Sequence, residues 1–155
     1  MKAYSVPVLL VAALAGCSAP PAAPPPPAAK VRPADETNKF PAQDRVKVEI
    51  ALEHVLDKAN LPAGNVATYE AKGRQWQLFL IKAKSNEAAA LLLFDYKGRL
   101  AHVKFVPHFG GYAGEDGGTP MFLFQKGPYL AGVAGLPEKD ADTLARTFAA
   151  RLSDH

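Results

Sequence analysis

The stretch from His108 to Gly118, "HFGGYAGEDGG", gathers the residue types from which a binding site can be made, with five of the chain's 12 glycines in eleven residues. Glycines let a backbone approach a ligand closely, and Phe109 and Tyr112 offer aromatic faces, one of them carrying a hydroxyl. Several chemistries drop out on inspection. No Gly-x-x-x-x-Gly-Lys-Ser/Thr stretch exists, and the glycines run into Thr119-Pro120 and an apolar segment, where a phosphate loop needs a helix N-terminus to hold the anion. Glu115-Asp116 lacks the Asp-x-Asp spacing of a calcium loop, and two adjacent acids on one loop are a poor platform for paired-carboxylate catalysis.

Metal and nucleophile chemistry fare no better. His102 and His108, six residues apart, lie ~20 Å apart on an extended chain, too far to share one ion. His54 and His155 add no cluster, and Ser5, Ser18, Ser85 and Ser153 sit in no Gly-x-Ser-x-Gly elbow. One cysteine, Cys17, excludes an intramolecular disulfide, a Cys-based zinc site and a CxxCH haem attachment. The sequence therefore predicts a protein that is not an enzyme, with no catalytic residue, no metal site and no cofactor. The thirteen residues from Val106 to Gly118 are expected to form a long connecting loop, with His108, Phe109, Gly110, Gly111, Tyr112, Glu115 and Asp116 as candidate binding residues.

The elements that must position this loop are read from periodicity. With 155 residues, 48% of them hydrophobic, the chain can build one domain. Over residues 41–60, Val48, Ala51, Leu52, Val55, Leu56 and Ala59 fall on one helical face, which predicts an N-terminal helix closed by Pro62. Pro137-Glu138-Lys139-Asp140 opens a C-terminal helix carrying Ala141, Leu144, Ala145, Phe148 and Leu152 at helical spacing. Between them, residues 65–70, 76–83, 88–94, 100–106, 121–125 and 129–133 read as strands, with 88–94 taken as strand because Lys97-Gly98 resembles a hairpin turn. The expected fold is α+β: a mainly antiparallel sheet of five or six strands with a helix at each end. "LFLI", "AAALLLF" and "MFLF" are apolar at successive positions, so parts of both sheet faces need cover that two helices do not fully supply.

If those strands form an up-and-down meander, the turns alternate between the ends of the sheet. Lys72, Arg74, Lys97, Arg99 and Lys126 then collect at one end as a candidate basic surface for anionic headgroups, while Glu87, Glu115 and Asp116 mark the other. The net charge of +3 is too small to point to nucleic acid.

The N-terminus is a different kind of segment. A short basic start is followed by an apolar run from Val6 to Gly16, too short to span a bilayer, and then Leu14-Ala15-Gly16-Cys17-Ser18. This stretch resembles the lipobox of bacterial lipoproteins. The resemblance implies a signal peptide at residues 1–16, lipidation of Cys17 as the first residue of the mature chain, and, with Ser18 following, sorting to the outer membrane with the domain facing the periplasm. Residues 17–38, which include "APPAAPPPPAAKVRPA", read as the lipidated cysteine and a Pro/Ala-rich extended tether, and residues 39–155 as a single globular domain. The expected role is a membrane-anchored, non-catalytic binding or interaction module of the cell envelope with an envelope protein as partner. The alternatives are a periplasmic inhibitor of an enzyme such as a cell-wall hydrolase, using the glycine-rich loop, and a carrier of a small hydrophobic ligand.

Overall fold

The computed structural model describes residues 31–153; the lipobox, Cys17 and the tether as far as residue 30 lie outside the described residues. Its elements are β1 (Arg45–Ala51), β2 (Gly64–Ala71), β3 (Arg74–Lys82), α1 (Asn86–Lys97), β4 (Ala101–Val106), β5 (Gly111–Asp116), β6 (Thr119–Lys126), β7 (Tyr129–Ala134) and α2 (Glu138–Ala149). The seven strands form one sheet in the order β1-β2-β3-β7-β6-β5-β4, and every neighbouring pair is antiparallel. The architecture is α+β and mainly sheet, as the sequence predicts, with seven strands where five or six were expected and only one of the two α-helices terminal.

Two helix and strand expectations are overturned, each for an identifiable reason. Residues 45–51 are the edge strand β1, not the start of an N-terminal helix. Val46, Val48 and Ile50 are β-branched and alternate with Lys47 and Glu49, a pattern that suits a strand paired along β2. Any helix beyond it is excluded by Leu56, which sits at φ 56° in a short 3-10 turn, Val55–Asp57, whose Val55 is buried under the sheet. Residues 88–94 lie inside α1, not in a strand. The Ser85 hydroxyl accepts from the Ala88 N–H at 3.2 Å and caps the helix, and the run of alanines and leucines behind it favours helix. Gly98, expected in a hairpin at positive φ, is the helix C-cap at φ −65°.

The central strands are apolar on both faces. Leu78 and Leu80 of β3 pack with Phe122 and Phe124 of β6 and Val133 of β7 under Phe148 of α2, while Phe79 and Ile81 pack with Leu123 and Leu130 under Leu93 and Tyr96 of α1. α1 is the crossover from β3 to the far edge strand β4, and it crosses β7 and β6 on the way. Gly132 of β7 lies where this packing is tightest. A Cβ there would stand 2.5 Å from the Phe79 ring and 2.7 Å from the Phe122 carbonyl oxygen.

The domain also begins earlier than the sequence suggests. Asn65, buried in β2, accepts from the Glu36 N–H at 3.1 Å and donates to the Ala34 carbonyl at 2.9 Å. The buried Glu36 carboxylate takes Lys82 at 2.9 Å and the Tyr129 hydroxyl at 3.3 Å. Residues 34–38, assigned to the tether from their composition, are thus clasped to the sheet.

Gly132→Ala overpacks a site bounded by an aromatic ring and a neighbouring strand's backbone, and should lower stability by about 1–3 kcal/mol. Urea unfolding should show this as a lower midpoint with an unchanged slope; an unchanged midpoint would mean that β7 can shift away from Phe79.

Candidate functional site

The glycine-rich stretch is a strand with a tight turn at each end. β5 pairs with β4 on one side and β6 on the other, so no thirteen-residue loop exists. Its glycines answer two separate demands. Gly117 and Gly118, at φ 60° and 82°, form the two-residue turn between Asp116 and Thr119, a conformation that needs positive φ at both positions. Gly111 leaves room for its neighbours: a Cβ there would stand 2.7 Å from the Leu123 carbonyl oxygen and 3.0 Å from the Phe122 ring.

The candidate binding residues consequently part company. Phe109 turns toward the α2 face, with its ring centroid 5.6 Å from that of Phe122 and 5.0 Å from that of Phe124, and Arg146 lies over it. It is a packing residue. His108 and Gly110 stay in the β4–β5 turn, and Glu115 pairs across β5–β6 with Pro120. Tyr112 faces the α1 side, beside Phe105 at 5.2 Å between ring centroids. Asp116 accepts a hydrogen bond from the Tyr96 hydroxyl at 2.6 Å and an ion pair from Lys58 at 3.2 Å, tying β5 to α1 and to the segment before β2.

The basic surface keeps its members unevenly. The helix at 86–97 replaces a turn but returns the chain to the end from which β4 starts, so Lys72, Arg74 and Arg99 share one end of the sheet, Lys97 reaches back over Tyr112, and Lys126 leaves the group. Lys72 remains in the β2–β3 turn, and Arg74 is paired with Asp140 of α2 at 3.0 Å. Lys126 lies at the opposite end of the sheet, since its strand end pairs with Tyr129, which itself pairs with Lys82, and its amine donates to the Ala149 carbonyl at 3.1 Å. Glu115 and Asp116 fall at the same end as Lys72 and Arg99, mixing the charges that were expected to separate.

What the tertiary structure assembles instead is an aromatic step beside α1. The helix packs mainly over β6 and β7 and reaches β5 through Tyr96 and Lys97 at its C-terminal end. Lys97 sits in the corner, its Nζ 4.2 Å from the Tyr112 ring centroid and 5.1 Å from that of Phe94. Phe94 is 64% exposed and Phe105 51%, and Val103, two residues before Phe105, is exposed too. A helix that is apolar on its outer face as well as its inner one marks a surface built for contact. The sequence carried a trace of this step: "AAALLLF" has more apolar residues than one helical face can bury.

A cleft of about 280 Å³ lies on the opposite face, between β4 and the start of α2. His102, at φ 53° in a bulge of β4, lines it with Glu115, while Lys104 and Glu138 close an ion pair of 2.9 Å across it. His102 and His108 are not brought together, and among the described residues no group of three or more His, Cys, Asp or Glu is placed to hold a metal. Among the described residues no helix is long and apolar enough to cross a membrane.

No family model matches the chain, and no curated protein matches it. Among solved structures, the crystal structure of a GTP binding regulator from Thermotoga maritima is similar, with a TM-score of 0.53 and 16% identity, over 74% of this chain and 82% of that one. At that identity the likeness shows a shared fold alone.

The Asp116 carboxyl is held below the ordinary carboxylate range, first by the Tyr96 hydroxyl and then by Lys58, against an opposing desolvation. A lowered folded-state value means that its contribution to stability is complete above the unfolded value of about 3.9 and is lost as pH falls through the folded one. Asp116→Asn should therefore melt below the parent at neutral pH, and the gap should narrow as the pH is lowered past that window. A gap that stayed constant with pH would show that charge at Asp116 plays no part in holding β5 to α1.

Proposed function

We propose that the chain is a lipid-anchored protein of the bacterial envelope, held at the outer membrane through Cys17 with its domain in the periplasm, and that the domain binds a protein partner without catalysing a reaction. The observation that carries this proposal is the aromatic step of Phe94, Tyr112 and Phe105 around Lys97. Large apolar side chains on a helix and an adjacent edge strand, with one cation at their centre, match the composition of a contact core: aromatic anchors with few charges. The stretch that the inhibitor alternative would use is paired on both sides within the sheet, which favours the aromatic step as the contact surface.

The partner-binding proposal is tested by placing a photo-crosslinking amino acid at Phe105 in the full chain, with Thr147 on the exposed side of α2 as the control position. An adduct of one discrete mass should form at 105 and not at 147, and Phe94→Ser should abolish it. Equal labelling at both positions, or labelling indifferent to Phe94→Ser, would overturn the assignment of the step as the contact surface. Anchoring is tested separately. Metabolic labelling with a fatty acid should mark the parent and be lost in Cys17→Ser; labelling that persists in that variant would remove the lipoprotein reading.

A further inference from the structure

On its other flank, α1 borders a groove of about 420 Å³ with a different character. Its floor and walls are Ile81 of β3, Leu91 and Leu92 of α1, Pro62, and Val31. Leu91 is 63% exposed and Val31 88%, so this apolar channel is open to solvent along its length. An open apolar groove of this kind loses free energy when water is displaced from it, whatever the occupant. Two further observations choose among occupants.

The first is charge. Arg32, Lys82 and Lys84 border the groove, and the one acid there is Asp95. Lys82 is held by Glu36 at 2.9 Å. Lys84 and Arg32 carry no salt bridge within 4.0 Å among the described residues, and although Asp35 outside the groove feels the charge of Arg32, the lining itself holds three cations and one carboxylate. An apolar channel rimmed by cations complements an anionic amphiphile, with its tail in the channel and its charge at the rim. The second is where the chain comes from. Val31 is itself part of the groove wall, and Cys17 lies fourteen residues earlier in the sequence. Fourteen residues reach at most ~50 Å, so a chain anchored at Cys17 keeps this groove within reach of the membrane surface that holds it.

We propose that the groove between α1 and residues 31–33 seats one acyl chain of an anionic phospholipid, with the headgroup phosphate between Arg32 and Lys84. This rests on the lipid-anchor reading above for the source of the lipid, but not on the partner assigned to the aromatic step. Seating an acyl chain from the bilayer would hold α1 against the membrane on one flank and leave Phe94 and Phe105 presented on the other.

The full chain, purified from a bacterial envelope, is reconstituted into vesicles containing phosphatidylglycerol with a photoreactive group in its acyl chain, and adducts are mapped by peptide mass. Labelling should concentrate on Ile81, Leu91 and Leu92. It should fall about tenfold when the same photoreactive chain is carried by phosphatidylcholine, and by a similar factor in the double variant Arg32→Glu, Lys84→Glu. Leu91→Asp, a change at an exposed position, should remove the groove adducts while thermal unfolding stays that of the parent. Adducts spread over the domain, adducts at Phe94 and Phe105 in place of the groove, or equal labelling by the two lipids would overturn the proposal. The intact mass of the same preparation reports on Cys17. An unacylated chain whose groove still labels from added vesicles sinks the anchor alone, and an acylated chain with an unlabelled groove sinks this inference alone.

Discussion

The middle of the sheet is apolar on both sides, and almost everything else in the structure follows from having to cover it twice. β3 turns Leu78 and Leu80 to one face and Phe79 and Ile81 to the other, and β6 does the same with Phe122 and Phe124 against Met121 and Leu123. A sheet of this kind cannot leave either face in water. α2 closes one face with Phe148 and its alanines. The opposite face is covered by the segment before β2, through Val55 and Leu61, and by the chain between β3 and β4, which is α1. Because α1 must also carry the chain from the centre of the sheet to its far edge, it lies mainly over β7 and β6 and meets β5 through Tyr96 and Lys97 near its C-terminal end.

The two surfaces given functional roles are both products of that geometry. A single helix over a seven-stranded sheet has a flank on each side. Toward β4 the flank is an aromatic step, where Tyr112 stands beside Phe105 with Lys97 over its ring. Toward β3 it is an apolar groove, closed from the far side by Pro62 and the chain entering at Val31. The short buried turn at Val55 and Leu61 covers further strands on this face, and of the large exposed apolar side chains Leu91, Phe94, Val103, Phe105 and Val31 border α1 while Val46 and Leu52 belong to the β1 edge.

Polar ties then fix the pieces that packing alone would leave loose. The Asn65 amide pins residues 34 and 36 to β2, and Glu36 in turn gathers Lys82 and Tyr129 from β3 and β7. Asn65, Glu36 and Tyr129 are buried and Lys82 closes the network from the surface, so loss of a buried member strands its partners. Asp116 does the equivalent at the other end of the sheet, joining α1 through Tyr96 to the segment before β2 through Lys58. What looked in the sequence like an acidic pair on a ligand loop is half structural: Asp116 is a brace, and its neighbour Glu115 faces the opposite cleft.

Features set by local chemistry were legible in the sequence. α2 announces itself by its acidic first turn and helical spacing, and Lys72-Gly73 makes the tight turn that the dipeptide favours. Features set by pairing were not. Residues 45–51 fit a helical face and a strand alike, and only the free edge of β2 decides for strand. Residues 88–94 are apolar in a way that suits a buried strand or a helix buried on one side, and only the need to cover β6 and β7 decides for helix. "HFGGYAGEDGG" reads as a loop because glycine is rare in strands. The reason for Gly111 is the Leu123 carbonyl 2.7 Å from where its Cβ would be, an atom twelve residues away that only the folded sheet brings there. Composition and local spacing thus determined the mainly-sheet α+β class and the α2 boundary, while the place of α1, and with it both candidate surfaces, was decided by which apolar face remained to be covered once the strands had paired.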